Sequence, residues 1–315
     1  MRCLVTGGCG FVGSALVRRL LAQGCEVVVV DDLSRGAPEN LGPDQDQVTL
    51  VQQDVRDGLD GLFASFQPEA VFHLAALHFI PDCDADPARC LVVNVEGTRA
   101  VLAAAAALPR PAAVVLASSA AVYAPLDGPL SEQRDSLGPV DVYGYSKRWA
   151  EELAADFAAR TGAAVGVARL FNVFGPGETN AHFIPSLICQ LQAGESVRLG
   201  NLSSRRDYVF VEDVAEALFR LALHATGGHS ATVNVGSGRA YAGHEVVAAL
   251  AGLAPDRTAL TPVTDLTRLR RVDRPLLLAD PALALKLLDW APRTSLAEGL
   301  RAAWDCPVGA GVSLS

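Results

Sequence analysis

In Tyr143-Gly-Tyr-Ser-Lys147 a phenol and an ammonium stand four residues apart, which on a helix places them on one face. An ammonium beside a phenol favours the phenolate, lowering a pKa that starts near ~10. Tyr143 is therefore expected to act as a general base near neutral pH. Upstream, Ser118 and Ser119 close an apolar run from Ala113 to Ala117 that reads as a strand. A hydroxyl at a strand's carboxyl end can share a hydrogen bond between a substrate oxygen and the phenolate. Tyr and Lys at this spacing are most often a surface pair, so the elements around them must decide.

Those elements begin at the first residues. Cys3 to Val5 is a short buried-strand pattern that breaks into a turn with Gly7, Gly10 and Gly13. From Phe11 and Val12 to Gln23 the apolar residues recur at helical spacing. Strand, glycine turn and helix together set backbone N–H groups and a helix N-terminus against a phosphate. The glycines allow the tight turn, the close approach of a pyrophosphate and the close helix–sheet contact. A second strand, Glu26 to Asp31, ends in an acid 18 residues after Gly13, with Asp32 next to it. A carboxylate there accepts hydrogen bonds from an adenosine ribose 2′-OH and repels a 2′-phosphate. NAD is therefore expected over NADP, although Arg35 keeps NADP open.

Further strands are read at Val48–Gln52, Ala70–Leu74 and Ala164–Leu170, with helices over about Pro87–Ala107 and Lys147–Gly162. This alternation predicts an α/β protein, a Rossmann doubly wound parallel sheet covered on both faces. Its ligands bind outside the carboxyl ends of the strands. After Phe171 the pattern changes to a loop (Gly175–Asn180), a helix (Phe183–Ala193), a helix (Asp213–Ala225) and a strand (Thr232–Val235), with short pieces such as Pro281–Leu288 beyond Leu253. The expected division is an NAD-binding domain over 1–172, with a strand and helix returning from about 207–250, and a smaller lobe over 173–206 and 251–315.

Composition narrows the partners. Half of the 315 residues are hydrophobic and 19% are charged, which describes a well-cored globular chain. A net charge of −9 without a basic cluster argues against nucleic acid. Seven cysteines with no C-x-x-C spacing fit buried thiols in a reducing compartment better than disulfides or a metal site. Met1-Arg2 leads straight into the first strand, with no signal peptide pattern. The most apolar region, Val101–Ala124, is broken by Pro109-Arg110-Pro111 and is no membrane span. A soluble, cytoplasmic protein with no membrane or metal partner is expected.

Together the glycine turn, Asp31, the strand-end serines and Tyr143/Lys147 resemble the extended short-chain dehydrogenase/reductase family, in particular its nucleotide-sugar epimerases and dehydratases. The resemblance runs nearly end to end. It implies that Ser119 is the catalytic hydroxyl, Tyr143 the base and Lys147 its partner, which also holds the nicotinamide ribose. By the same resemblance Asp54-Val55 contacts adenine, Leu74-Ala75-Ala76 passes the cofactor, and Asn94, Ser118 and Phe171 stand beside it. The sugar-nucleotide side is similar as well. Arg169-Leu-Phe-Asn172 resembles an R-x-F-N motif whose asparagine contacts the diphosphate, and Arg206-Asp207 through Asp213 matches R-D-x-x-x-V-x-D. Arg270 falls where a second diphosphate arginine is expected, and guanidinium groups suit a pyrophosphate through paired charge-assisted hydrogen bonds. His78, Ala120, His182, Phe183 and Gly200 complete the implied substrate contacts. A homodimer through the Pro87–Ala107 and Lys147–Gly162 helices is implied too.

The departures direct the chemistry. Where related dehydratases carry Asp-Glu after the catalytic hydroxyl, and decarboxylases a Glu, this chain has Ala120-Ala121. Neither alanine can exchange a proton. Hydride removal from a sugar carbon and its return, an epimerisation at C4 with tightly bound NAD, is the expected reaction. A net keto-sugar reductase or a dehydratase is the alternative, and a non-catalytic NAD sensor a third. Gly200-Asn201-Leu202 is closer to the GDP-mannose dehydratase pattern than to the G-x-G of many UDP-sugar epimerases, so the nucleotide is left as UDP or GDP.

Overall fold

A computed structural model describes residues 1–178, 180–194, 197–254, 262–265 and 274–306. Runs of β-branched residues form the central strands. β1 (Arg2–Thr6) leads into α1 (Phe11–Ala22), β2 (Glu26–Asp31), β3 (Thr49–Gln52), α2 (Asp60–Phe66) and β4 (Ala70–His73). Then come α3 (Ile80–Ala85), α4 (Pro87–Leu91), a single π turn over Val92–Glu96, α5 (Gly97–Ala106), β5 (Ala113–Ser119), α6 (Val142–Thr161) and β6 (Val165–Leu170). The helix expected over Pro87–Ala107 is thus interrupted by the π turn. Later elements are β7 (Asn172–Phe174), α7 (Phe183–Gln192), β8 (Arg198–Leu199), β9 (Arg205–Phe210), α8 (Val211–Thr226), β10 (Ala231–Val235), β11 (Ala240–Ala242) and α9 (Gly243–Ala251). β12 (Val263–Thr264), β13 (Leu276–Leu277), α10 (Ala282–Leu288) and α11 (Leu296–Asp305) follow.

Seven parallel strands form the main sheet in the order β3-β2-β1-β4-β5-β6-β10. The order reverses between β1 and β4, which leaves a crevice at the carboxyl ends of these two strands, where ligands of such sheets bind. Both faces are packed. Leu16, Leu20, Val214 and Leu218 cover one face, and Val101, Leu102, Ala154 and Phe157 the other. A second sheet, β11-β9-β13 with β7 on β9, carries the smaller lobe, whose core joins Phe174, Leu187, Phe210, Val246 and Leu300.

From the span 207–250, where a strand and a helix are expected to return, one of each does so. Only α8 and β10, of the span 207–250, join the large sheet, while β9 and α9 pack with α7 and α11. α10 and Trp290, expected in the lobe, instead pack on α8, and the indole donates to the Asp213 carbonyl at 3.0 Å. Their apolar side chains cover the open flank of α8 beside the last strand. All seven cysteines are free thiols, and among the described residues no helix is long and apolar enough to cross a membrane.

His73, at the end of β4, lies buried between Thr6 Oγ1 at 2.8 Å and Thr98 Oγ1 at 3.0 Å. Thr98 donates to the Asn94 carbonyl at 2.6 Å, so it accepts from the imidazole, and Thr6 donates to the other ring nitrogen. Burial, aided by the Lys147 charge, holds His73 down to about 3. The unfolded chain, with its histidines near ~6.5, binds protons that the folded chain refuses, so stability falls as pH drops from ~6.5 toward 3. His73→Gln is expected to flatten this acid limb by about 1 kcal/mol per pH unit, read from urea midpoints at several pH values. An unchanged slope would show that His73 charges in place.

Candidate active site

A cleft of about 1730 Å³ runs along the carboxyl ends of the main strands and under the smaller lobe. At one end it is bordered by Gly7, Gly10, Phe11, Val12 and Gly13. Gly7 has φ +72°, and a Cβ on it would lie 2.7 Å from the Ala75 nitrogen. A Cβ on Gly13 would meet the Gly7 carbonyl oxygen at 2.0 Å, so helix and turn close only around glycine. Gly10 caps α1 without any side-chain bond, which leaves first-turn N–H groups directed at the cleft.

Asp31 ends β2 beside this turn, almost fully buried. Its carboxylate accepts from the Cys9 and Leu33 N–H groups, each at 2.9 Å, and burial still raises its pKa. Asp32 accepts from the Ser34 N–H and hydroxyl. Arg35 is drawn into an ion pair with Asp82, which leaves an acid-lined rather than a basic end for a ribose. Asp54 and Val55 border the same end. Asp54 is held below the usual carboxylate range by the Arg56 side chain, at 2.5 Å. Leu74, Ala75, Ala76 and Phe171 line the floor. Helix terminus, side-chain-free turn and strand-end acid fit a dinucleotide.

Two residues expected at the cofactor have different work. Asn94 does not border the cleft. It sits on the π turn, 2% exposed, where its amide oxygen accepts from the Leu77 N–H at 2.7 Å. Its NH₂ donates to the Leu77 carbonyl and to Ser146 Oγ, both at 2.9 Å. A local π turn thus aims an amide between the loop after β4 and α6. Ser118 borders the cleft, but its hydroxyl donates to Glu151 at 2.5 Å. Successive strand residues point to opposite faces, and Ser119 carries its hydroxyl to the turn on the cleft side.

Ser119 Oγ accepts from the Ala121 N–H at 3.1 Å, capping a one-turn 3₁₀ segment over Ala120–Val122. Asp141 caps α6 by accepting from the Gly144 N–H at 2.7 Å, which starts the helix one residue before Tyr143. Tyr143 and Lys147 are consequently on one face, both buried and both at the cleft. Lys147 Nζ donates to the Ala117 carbonyl at 2.9 Å and lies 6.0 Å from the Tyr143 ring centre. Burial pushes the ammonium down to about 8, against the pull of Cys90, Cys83 and Glu151. The expected depression of Tyr143 is absent: burial raises the phenol well above its usual value, and its hydrogen bond with Ser119 only partly opposes this.

On the lobe side, Asn172, Phe183, Gly200 and Arg206 all border the cleft, as does Ala120 across from them. Arg206 Nη1 donates to the carbonyls of Arg205 and Arg274, at 2.9 and 2.8 Å. Arg270 lies outside the described residues. His78 is held neutral, down to about 4, by burial and by the His182 charge, and its Nε2 lies 3.1 Å from the Asn180 NH₂. His182 Nδ1 is 3.4 Å from Glu178. Burial works to raise Glu178, but the His182 contact and the nearby histidine charges bring it below the usual range. Glu178, Asn180 and Arg274 were not singled out from sequence, since all three sit in irregular loops. The only signal was a polar cluster just before the Phe183 helix.

A doubly wound sheet whose crevice holds Ser119, Tyr143 and Lys147 defines an extended short-chain dehydrogenase/reductase of the nucleotide-sugar group. The chain belongs to the NAD dependent epimerase/dehydratase family, whose model matches residues 3–236. It is 37% identical over 313 residues to a UDP-glucose 4-epimerase of Mycolicibacterium smegmatis, covering 95% of this chain and 96% of that protein. Among solved structures it resembles the UDP-glucose 4-epimerase of Thermotoga maritima with UDP-glucose, at TM-score 0.87 and 28% identity over 97% of this chain and 98% of that one. The Thermus thermophilus UDP-glucose 4-epimerase complexed with NAD gives TM-score 0.86 at 31% identity, over 97% and 98%.

The chain contains only two lysines, Lys147 and Lys286. In ¹⁵N-lysine-labelled protein, one Nζ signal is expected to titrate near pH 8 and to vanish in Lys147→Met. A Lys147 signal still fully protonated at about pH 9.5, well above that midpoint, would contradict this.

Proposed function

We propose that this chain is an NAD-dependent nucleotide-sugar 4-epimerase acting on a UDP-linked sugar. The observation that carries the reading is the Ser119–Tyr143–Lys147 set facing one cleft of about 1730 Å³, with Ala120 and Ala121 following Ser119. NAD, when bound, supplies a reversible hydride acceptor. Gly7, Gly10 and Gly13 with the α1 N-terminus would hold its pyrophosphate, and Asp31 with Asp32 its adenosine ribose. Lys147 would hold the nicotinamide ribose.

Tyr143 takes the proton of the sugar's C4 hydroxyl as that carbon is oxidised, and returns it when hydride comes back to the opposite face. Ser119 donates a hydrogen bond to the C4 oxygen in both directions, and Lys147 favours the phenolate. Asn172 and Arg206 hold the diphosphate, so the sugar can turn about a fixed anchor between the two half-reactions. Elimination of water would need an acid and a base beside C5 and C6. Ala120 and Ala121 offer neither, Glu178 is held as a carboxylate, and His78 is held neutral. A homodimer fits the same reading, because α6 leaves Tyr145 and Trp149 exposed at 46% and 43%.

Tyr143→Phe is expected to lower turnover by roughly 10³-fold, the scale of a lost general base, while NAD remains bound in the purified protein. Retention of more than a few per cent of activity would overturn the mechanism. Mass spectrometry of the product of a UDP-sugar panel separates the reactions: an isomer of unchanged mass supports epimerisation. A product lighter by one water or changed by two hydrogens would replace it with elimination or net redox.

A further inference from the structure

We propose that Arg274 selects a nucleotide sugar whose sugar carries a carboxylate, a UDP-hexuronic acid, by pairing with that carboxylate beside the turn that follows Ser119. The proposal rests on the nucleotide-sugar reading above and names the substrate within it.

Arg274 stands just before β13, at the lobe wall of the cleft. Its Nη2 donates to the Tyr123 carbonyl at 2.6 Å and reaches the Ala121 carbonyl at 3.5 Å. Ala121 is the residue whose N–H bonds Ser119 Oγ, and its side chain packs with Tyr143. The guanidinium therefore borders the turn whose backbone also bonds Ser119. The backbone carbonyl of the same residue accepts from Arg206. The two arginines thus form a continuous cationic strip, with Arg206 toward the diphosphate and Arg274 toward the reacting end.

Among the described residues no carboxylate lies within ion-pair distance of Arg274, and its Nη1 is shut off from water with no hydrogen-bond partner. Burial and the Arg206 charge both push the guanidinium down, and only the more distant Asp141 opposes them. A buried charged donor without an acceptor is costly unless a partner arrives. Paired N–H groups in a planar fork match a carboxylate. Placed next to the Ser119 turn rather than at the diphosphate, that partner is an acid on the sugar itself.

The test uses the purified protein with its bound NAD and two probes that differ only at C6, UDP-glucuronic acid and UDP-glucose. The expected result is a higher kcat/KM for the acid than for the neutral sugar. Arg274→Gln should lower the acid's value by roughly 10- to 100-fold, the worth of a charged hydrogen bond, and the neutral sugar's by less than about 3-fold. Arg274→Lys should restore part of the acid's value. Equal losses on both sugars would overturn the proposal, making Arg274 a brace for the turn or a diphosphate contact. A wild-type preference for the neutral sugar would overturn it as well. Calorimetric binding of both probes to Tyr143→Phe, with and without Arg274→Gln, reads the selection without turnover. A preference for the acid that disappears with the second substitution supports the proposal even if neither sugar is epimerised, an outcome that would sink only the epimerase reading. If Arg274→Gln fails to fold, binding to Tyr143→Phe alone still decides, because equal affinity for the two probes refutes selection.

Discussion

The bond from the Lys147 ammonium to the Ala117 carbonyl organises the site. An ammonium buried against a sheet needs an acceptor, and β5 supplies one at its carboxyl end, two residues before Ser119. That single contact brings α6 down onto β5 and puts Tyr143 over the serine that ends the strand. Asn94 secures the opposite side of the helix through Ser146, whose hydroxyl donates to the Tyr143 carbonyl at 2.7 Å. Burial, aided by the same ammonium, keeps the His73 imidazole beneath it neutral. Catalytic geometry and the polar core are therefore one network.

A second buried charge ties the lobe to the sheet. Asp207 on β9 is fully enclosed and accepts from the Ser237 N–H and hydroxyl, the Gly238 N–H and the Ala279 N–H, between 2.6 and 3.1 Å. Burial raises its pKa, and these donors counter the rise. Ser237 and Gly238 follow the last strand of the main sheet, whereas Ala279 follows β13. One carboxylate thus sets the distance between the two walls of the cleft, and its neighbour Arg206 is carried to the wall by the alternation of β9. Acid and arginine in consecutive positions thus divide one strand between the inner brace, Asp207, and the cleft wall, Arg206.

The fold was legible because its signals are local. Periodicity and glycine spacing announced β1, α1 and the strand-end acid, and the strand pattern implied the crevice. Helix spacing puts Tyr143 and Lys147 on one face and the strand end offers Ser118 and Ser119, the choice of Ser119 coming from the resemblance. What could not be read depends on contacts between distant segments. The π turn that withdraws Asn94, the carboxylate of Glu151 that occupies Ser118, and the packing of α10 on α8 all require knowing which elements meet. The direction of the Tyr143 shift differs for the same reason: spacing gives the lysine's proximity, but not the burial that raises the phenol.

Glu178 shows most clearly how position settles chemistry. A buried acid in a cleft with two histidines has the composition of a general acid–base site, and composition alone would suggest elimination. Yet its carboxylate accepts from the Asn180 N–H at 3.1 Å and faces His182, so it is stabilised as the anion and has no proton to give. His78, the other candidate donor, is kept neutral by burial. The lobe side of the cleft thus carries an anion and a neutral imidazole, and the sheet side a raised phenol with a depressed ammonium.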